Sequence, residues 1–141
     1  MGHAEIKEFF VGGASALPCP DMSAVAWVKS THLKRPKIST YEWMTTSETA
    51  FSAILEVLHY VAEGSRVRII THSRLVRHEF KEICAARGRD LHDPYWRARA
   101  LLERKGLSVE LRMVPRAQNR ARTILDEFKV VLMQERSRKE W

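Results

Sequence analysis

The stretch from Val67 to Val76 constrains the fold more than any other part of this sequence. Its first five residues, Val-Arg-Ile-Ile-Thr, are rich in β-branched side chains and predict a buried strand that ends at Thr71. Ser73 then stands at a helix N-cap position, and apolar residues follow it at helical spacing: Leu75, Val76, Phe80, Ile83 and Cys84. His72 lies in the turn between strand and helix. Since ligands and catalytic groups collect at the carboxyl edge of strands in open α/β sheets, this turn is the predicted functional site.

Three further strands precede this unit. They are predicted at about residues 6–12, 23–29 and 37–43. The basic turn between the last two indicates that the three form an antiparallel meander. The small residues from Gly12 to Ser15 are expected to end the first strand, before a stiff, proline-containing loop over residues 16–22. The aromatic residues Trp27, Tyr41, Trp43 and Trp96 are expected to lie in the core or on the sheet.

Four helices are predicted. The first begins at Thr45-Thr46, where Glu48 can complete a capping box, and Gly64 stops it. The second follows Ser73 and ends at Gly88, and the third runs from Asp93 to Gly106. A fifth strand over residues 107–114 and a last helix over about 118–135 follow, before a charged, frayed tail at about 136–141. This order predicts an α/β fold: a five-stranded mixed sheet flanked by helices, in a single domain over residues 1–141.

The composition limits the compartment and the partners. The chain carries 24 Lys and Arg against 17 Asp and Glu, a formal net charge of +7, which favours an anionic partner such as nucleic acid. No apolar run approaches the roughly 20 residues that span a bilayer, so no membrane partner is expected. The amino-terminal residues lack the apolar stretch of a signal peptide, and Cys19 and Cys84 do not make a disulfide framework. A reduced, cytoplasmic protein is predicted.

Five phrases of the sequence, taken in order, resemble the ribonuclease H-like family, especially its short bacterial members related to reverse-transcriptase RNase H domains. The phrases are Phe10–Ser15, Thr45–Leu58, Ile69–Val76, Asp93–Leu102 and Val114–Asn119. Together the resemblance extends from Phe9 to about Phe128 and implies a ribonuclease H-like fold. For active members it also implies hydrolysis of the RNA strand of RNA–DNA hybrids. Two Mg²⁺ ions held by four carboxylates catalyse this hydrolysis. The carboxylates are needed because the two hard cations repel each other and prefer anionic oxygen ligands.

None of the four carboxylate positions carries an acid in this sequence. By the resemblance, these positions fall on Gly12, Ala50, His72 and Thr123. Glu48 lies two residues from the second position, about 200° around the helix, so it is expected to cap the helix instead. Asp126 is expected to be a solvated helix residue. No catalytic residue, metal ligand or cofactor is therefore expected, and Mg²⁺ or Mn²⁺ would be needed only by an unusual nuclease.

A surface that binds nucleic acid can remain when the catalytic residues are absent. In the family, backbone and polar groups around the same edge hold the hybrid, and by the resemblance they correspond to Gly13, Thr46, Ser47 and Arg74. A second polar group lies at the start of the last helix, whose dipole would add to its attraction for phosphate: Arg116, Gln118, Asn119, Arg120 and Arg122. The alternative is an ordinary solvated basic surface. His72 itself is expected to hydrogen-bond the helix start or to fill the vacated space.

Three functions remain open at this point. The first is a pseudoenzyme, a catalytically degenerate ribonuclease H-like domain that binds an RNA–DNA hybrid or duplex without cleavage. The second is a protein–protein interaction module, either a homo-oligomer or a subunit of an assembly. The third is an active divalent-metal-dependent nuclease with unusual ligands. A steep salt dependence of nucleic-acid binding favours the first, a stable partner without nucleic-acid affinity the second, and metal-dependent cleavage the third.

Overall fold

The computed structural model describes residues 5–15, 22–42, 44–85 and 93–139. Within these ranges the chain forms five strands and four α-helices in the predicted order. The strands are β1 (Ile6–Ala14), β2 (Met22–Lys29), β3 (Lys37–Glu42), β4 (Arg66–Thr71) and β5 (Ser108–Met113). The helices are α1 (Thr46–Tyr60), α2 (Arg74–Ala85), α3 (Asp93–Lys105) and α4 (Arg120–Lys139), and a short 3-10 turn, Arg116–Gln118, precedes α4. Most of the predicted loop at 16–22, Trp43, the expected end of α2 at Gly88 and the last two residues lie outside the described residues.

The strands form one sheet in the order β3-β2-β1-β4-β5. β1, β2 and β3 pair antiparallel, as the predicted meander requires. β4 is parallel to β1, and β5 is parallel to β4. The predicted five-stranded mixed sheet flanked by helices is therefore confirmed. Because β1 and β4 are adjacent and parallel, their carboxyl ends, after Gly12 and at His72, meet at the same edge of the sheet.

Helices cover the two faces of the sheet unequally. One face holds the main core, which includes Phe9, Val25 and Ile69 of the sheet. There α1 packs against β1 and β2, α2 contacts β5, and α3 packs against α1 and α2. On the other face α4 packs against β1 and β2 through a smaller cluster that includes Ala26, Ala121 and Leu125. Full burial of a large apolar side chain stabilises the folded state by roughly 1.5–3 kcal/mol, so the three-helix face is the larger source of stability.

β1 does not end at its glycines. It continues through Gly12 and Gly13, which pair with Ala26 and Val25 of β2, so the predicted strand end is wrong by two residues. The glycines serve close packing instead. A Cβ on Gly13 would overlap Thr49 of α1, and a Cβ on Gly12 would lie 3.3 Å from the Cβ of Ala121 in α4. Both helices therefore approach β1 closely, one on each face.

The predicted helix signals are found at several helix ends. Thr45 accepts a hydrogen bond from the Glu48 amide at 3.1 Å while Glu48 accepts one from the Thr45 amide at 3.2 Å, which confirms the capping box. The Ser73 hydroxyl accepts from the Val76 amide at 3.2 Å and caps α2. Gly106 follows α3 with a positive φ of 59°, the left-handed conformation that glycine adopts without strain.

α4 is longer and less buried than the sequence indicates. It continues to Lys139, so the chain is still helical over most of the segment expected to fray. In its second half, Val130, Val131 and Met133 are 54%, 49% and 53% exposed. α4 packs mainly on β1 and β2, through a cluster that includes Ala121 and Leu125 of its first half. Trp96 is likewise 50% exposed rather than in the core, whereas Trp27 is buried as expected. Among the helices described, none is long and apolar enough to cross a bilayer.

Candidate functional site

A depression of about 300 Å³ lies where the carboxyl ends of β1 and β4 meet the start of α4. We call it the rim depression. It is lined by Gly12, Gly13, Ala14, Ser15, His72, Arg116, Arg122, Leu125 and Asp126. His72 reaches it because β4 ends at Thr71, and Arg116 because the 3-10 turn precedes α4. The predicted turn at His72 is thus part of a concave surface with three basic side chains.

Asn119 connects the segments that form the rim depression. Its side chain is fully buried. The Asn119 Nδ2 group donates to the carbonyl of Val11 at 2.9 Å and lies 2.8 Å from His72 Nδ1, while Oδ1 accepts from the amide of Ala121 at 3.1 Å. Since a carbonyl needs a donor and an amide needs an acceptor, these contacts fix the orientation of the side-chain amide. Asn119 therefore joins β1, the end of β4 and the start of α4.

The contact with Asn119 also determines which ring nitrogen of His72 carries the proton when the ring is neutral. The amide nitrogen of Asn119 is a donor, so His72 Nδ1 must accept and the ring proton of a neutral His72 resides on Nε2. The pKa of His72 is lowered from 6.5, first because burial penalises the charged ring and then because Arg116 and Arg122 repel it. Near neutral pH His72 is an uncharged residue that presents one N–H donor.

The charge of the rim depression comes from its arginines. Arg116 is exposed, and its charge contributes to the lowered pKa of His72. Arg122 is partly buried, and its Nε has no hydrogen-bond partner among the described residues. Asp126 lies one helical turn along α4, and its Oδ2 atom is 3.7 Å from that Nε. Two guanidinium groups against one carboxylate leave the rim depression with a net positive charge.

Two of the four positions that the resemblance assigns to carboxylates are not among the residues that line the rim depression. Ala50 is 7% exposed and belongs to the main core, because it lies on the side of α1 that faces the sheet. Thr123 instead lines a neighbouring depression, together with Leu33, Arg120, Ile124 and Glu127. Gly12 and His72 therefore line the rim depression together, whereas Ala50 and Thr123 are not among its lining residues. Helix geometry explains the second case, since Thr123 is rotated about 100° from Arg122.

The residues expected to bind nucleic acid do not all lie at the rim depression. Gly13, Arg116 and Arg122 line the rim depression, and Arg120 lines the neighbouring one with Thr123. Asn119 was expected to contact nucleic acid, but it is buried and its polar atoms are occupied by protein groups, so direct contact is excluded in this conformation. Arg74 is exposed at the first position of α2. The side chains of Thr46 and Ser47 lie outside the described part of the chain.

Residues that the sequence interpretation did not assign also contribute to the site. Asp126 is 58% exposed, as a solvated residue should be, yet it lines the rim depression. Leu125 lies beside it, and Thr49 packs against Gly13 beneath the same edge. The spacing of Arg122, Leu125 and Asp126, at i, i+3 and i+4, places them on one face of a helix, which is a signal that the sequence does contain.

The chemistry of the rim depression is that of an anion site. Guanidinium groups and an imidazole N–H donate hydrogen bonds, and guanidinium is well shaped for phosphate or carboxylate oxygens. Among the described residues, no three His, Cys, Asp or Glu side chains are grouped as metal ligands would be. No protein-family model matches the chain, and no curated protein matches it in sequence. The site is therefore interpreted from its own residues.

Proposed function

We propose that this protein is a catalytically degenerate ribonuclease H-like domain that binds nucleic acid at the rim depression without cleaving it. One observation carries the proposal: Arg116, Arg122 and the neutral His72 converge at the sheet edge next to Gly12. By the resemblance, an active member would hold acidic ligands at Gly12 and His72. Arginines at this edge attract the phosphates that acids would repel.

The fold supports the same proposal. The five phrases that carry the resemblance lie on strands and helices that surround one mixed sheet. Gly12 and His72 belong to the ends of adjacent parallel strands, as two residues of one former site would. Fold does not determine function, so the argument for binding depends on the charges of the site.

The contacts available favour sequence-independent binding of a duplex. Arginine and imidazole donors are suited to phosphate oxygens, which are the same along every nucleic acid. Each phosphate neutralised releases counterions, so the affinity should fall steeply as salt rises. The overall charge of +7 adds to the attraction at long range. We therefore expect RNA–DNA hybrid or double-stranded RNA to bind with little sequence preference.

Fluorescence anisotropy of a labelled RNA–DNA hybrid, measured between 50 and 200 mM salt, tests the binding. Arg116→Gln with Arg122→Gln should weaken binding to all duplexes and reduce the salt slope by about 1–2. Asp126→Asn should strengthen binding, because it removes the carboxylate that competes for Arg122. Arg66→Gln is the matched control, since Arg66 is exposed at the opposite end of β4.

Equal losses in the control and in the rim variant would assign binding to net charge rather than to the rim depression. Absence of binding to hybrid, RNA duplex and single strands at low salt would overturn the proposal. Adding Mg²⁺ or Mn²⁺ to the same reactions tests the nuclease alternative. Metal-dependent cleavage that is lost in His72→Ala would replace binding with catalysis as the function.

One observation favours the second candidate, a protein-interaction module. Val130, Val131 and Met133 are each about half exposed on the second half of α4, where a soluble partner or a second copy could cover them. Sedimentation of the purified protein tests this candidate. A stable dimer that dissociates in Val131→Asp, together with no affinity for nucleic acid, would establish it over the first.

A further inference from the structure

A second cavity lies away from the rim depression, between the β2–β3 hairpin and the last turn of α1. We call it the hairpin pocket. Its volume is about 460 Å³, and it is lined by Trp27, Lys29, His32, Arg35, Pro36, Lys37 and Tyr60. Lys29 pairs with Phe9 in the first half of β1, whereas Gly12 and Gly13 at the rim belong to its second half. The hairpin pocket is therefore a separate site.

We propose that the hairpin pocket binds a base linked to a phosphate, the unit shared by a free nucleotide and a residue of single-stranded nucleic acid. Trp27 and Tyr60 contribute aromatic rings to the pocket, and Lys29, Arg35 and Lys37 contribute cations. This combination recognises a flat, uncharged ring and an anionic group at the same time. The proposal is independent of binding at the rim depression.

The aromatic wall is held in a fixed position. Trp27 donates from Nε1 to a carboxylate oxygen of Glu56 at 3.1 Å, and its ring lies 5.7 Å from that of Phe9. Tyr60 packs against both, with ring centroids 4.8 Å from Trp27 and 6.2 Å from Phe9. Yet Tyr60 is 61% exposed. An aromatic ring that is supported on one side and open on the other can stack against a base with little loss of side-chain freedom.

The remaining wall is basic. Lys29, Arg35 and Lys37 line it, and within the described part of the chain they form no ion pair with an acid. His32 is oriented by a 2.9 Å hydrogen bond between its Nδ1 and Thr31, which leaves Nε2 for a ligand. No carboxylate is among the lining residues. Several cations held together without counter-charges are a surface suited to phosphate.

Two nearby groups with negative charge already accept hydrogen bonds from protein donors. Glu56 lies behind Trp27, and its carboxylate accepts hydrogen bonds from Trp27, Ser39 and Tyr41. The carboxyl end of α1 would repel phosphate through its free carbonyls. There, Lys105 Nζ donates to the carbonyls of Leu58, His59 and Val61 at 2.9, 2.6 and 2.9 Å. The pocket therefore keeps its positive character although a helix C-terminus adjoins it.

The size of the hairpin pocket also favours a base and a phosphate over an inorganic anion. Pockets that bind small organic ligands measure about 300–1,000 Å³, and the hairpin pocket is within that range. A phosphate ion alone would occupy a small part of it and would leave Tyr60 uncovered. In the expected pose the base stacks on Tyr60 and the phosphate lies among Lys29, Arg35 and Lys37.

Nuclear magnetic resonance titrations of the full chain with adenosine monophosphate, inorganic phosphate, adenosine and a short oligoadenylate test the proposal. Adenosine monophosphate should shift the Trp27 indole and His32 resonances, and should bind more tightly than phosphate or adenosine. Tyr60→Phe should bind normally, whereas Tyr60→Leu should lose about 5- to 100-fold in affinity. Lys37→Gln should also weaken binding. Arg104→Gln, at an exposed position of α3, is the control that should leave it unchanged.

The outcomes separate the two sources of the ligand. Similar affinity for the oligoadenylate and the mononucleotide identifies a free nucleotide, while a clear preference for the oligomer identifies a single strand. Either result supports the base-and-phosphate site. The proposal is overturned if millimolar adenosine monophosphate leaves Trp27 and His32 unshifted. It is also overturned if phosphate binds equally well, or if Tyr60→Leu binds like the native protein.

Discussion

Asn119 connects three segments that are distant in the chain through one side-chain amide. Its amide group contacts Val11 in β1, His72 after β4 and Ala121 in α4. Because the residue is fully buried, water cannot replace these partners when the amide is removed. A buried polar group left without a partner costs about 1–3 kcal/mol. The local polar network therefore contributes to stability as well as to the shape of the rim depression.

We expect Asn119→Ala to lower the free energy of unfolding by about 2–4 kcal/mol, because it leaves the Val11 carbonyl and the Ala121 amide unpaired. Urea denaturation measures this loss. Gln118→Ala is the control, since Gln118 is the exposed neighbour, and its effect should stay within about 0.5 kcal/mol. Equal stability of the two variants would mean that the network contributes nothing.

His72 predicts a dependence of stability on pH. Its pKa in the folded protein is lowered from the ordinary value of 6.5, mainly by burial and further by Arg116 and Arg122. As the pH falls below about 6.5, the unfolded chain binds a proton at this residue before the folded protein does, so stability decreases until the lowered pKa is reached. Replacement by Gln should remove that part of the decrease.

Comparing the free energy of unfolding of the native protein and His72→Gln between pH 7 and pH 5 measures this contribution. Proton resonances of the imidazole ring give the pKa directly. An anion bound between Arg116 and Arg122 should raise that pKa, because it offsets their repulsion of the charged ring. A measured pKa above 6.5 in the free protein would contradict the burial and charge argument.

At the scale of elements, the sheet and its helices meet most closely at β1. Gly13 lies under α1 and Gly12 under α4, on opposite faces of the same strand. The two positions differ in how much room they leave. A Cβ at position 13 would overlap the backbone of Thr49, whereas one at position 12 would make a tight contact of 3.3 Å with a side-chain methyl group. The packing of α1 on β1 should therefore be more sensitive to an added Cβ than the packing of α4 on β1.

Gly13→Ala should destabilise the protein by about 2–4 kcal/mol, since overpacking forces the α1 backbone away from β1. Gly12→Ala should cost about 1 kcal/mol or less, because Ala121 can move by a few tenths of an ångström. Thermal unfolding of the two variants provides a matched pair. A larger effect at Gly12 than at Gly13 would contradict the described spacing of the helices.

At the scale of the whole molecule, the four positions that the resemblance assigns to carboxylates lie in different surroundings. Ala50 lies in the core beneath α1, and Thr123 lies in a different depression from His72. Introducing acids at all four positions would bury one carboxylate in an apolar environment, which costs several kcal/mol unless it stays protonated. An active metal site therefore requires more than four acidic side chains at these positions.

The variant that combines Gly12→Asp, Ala50→Glu, His72→Asp and Thr123→Asp should be strongly destabilised and should not bind Mg²⁺ at low millimolar concentration. Calorimetry and thermal unfolding with and without Mg²⁺ measure both effects. Thr123→Asp alone is the control and should be neutral, because Thr123 is exposed. A stable quadruple variant that melts at higher temperature in Mg²⁺ would show that the four positions do converge.

The sequence alone determined the order of the elements, the mixed sheet and several helix ends. These features follow from local signals: alternation in strands, helical spacing of apolar residues, and caps such as Thr45 with Glu48 and Ser73 with Val76. A periodic pattern specifies its own element because the pattern and the backbone geometry have the same repeat. The turn at His72 was also located from the sequence, since strand and helix signals meet there.

Only the tertiary structure decided which side chains meet. A one-residue change rotates a helix position by about 100°, so Arg122 lies at the rim depression while Thr123 does not. The burial of Asn119 depends on β1, which is over a hundred residues away in the chain. The hairpin pocket likewise needs Trp27 and Tyr60 to pack across two elements. Such contacts depend on how sheet and helices pack, and no local pattern carries that information.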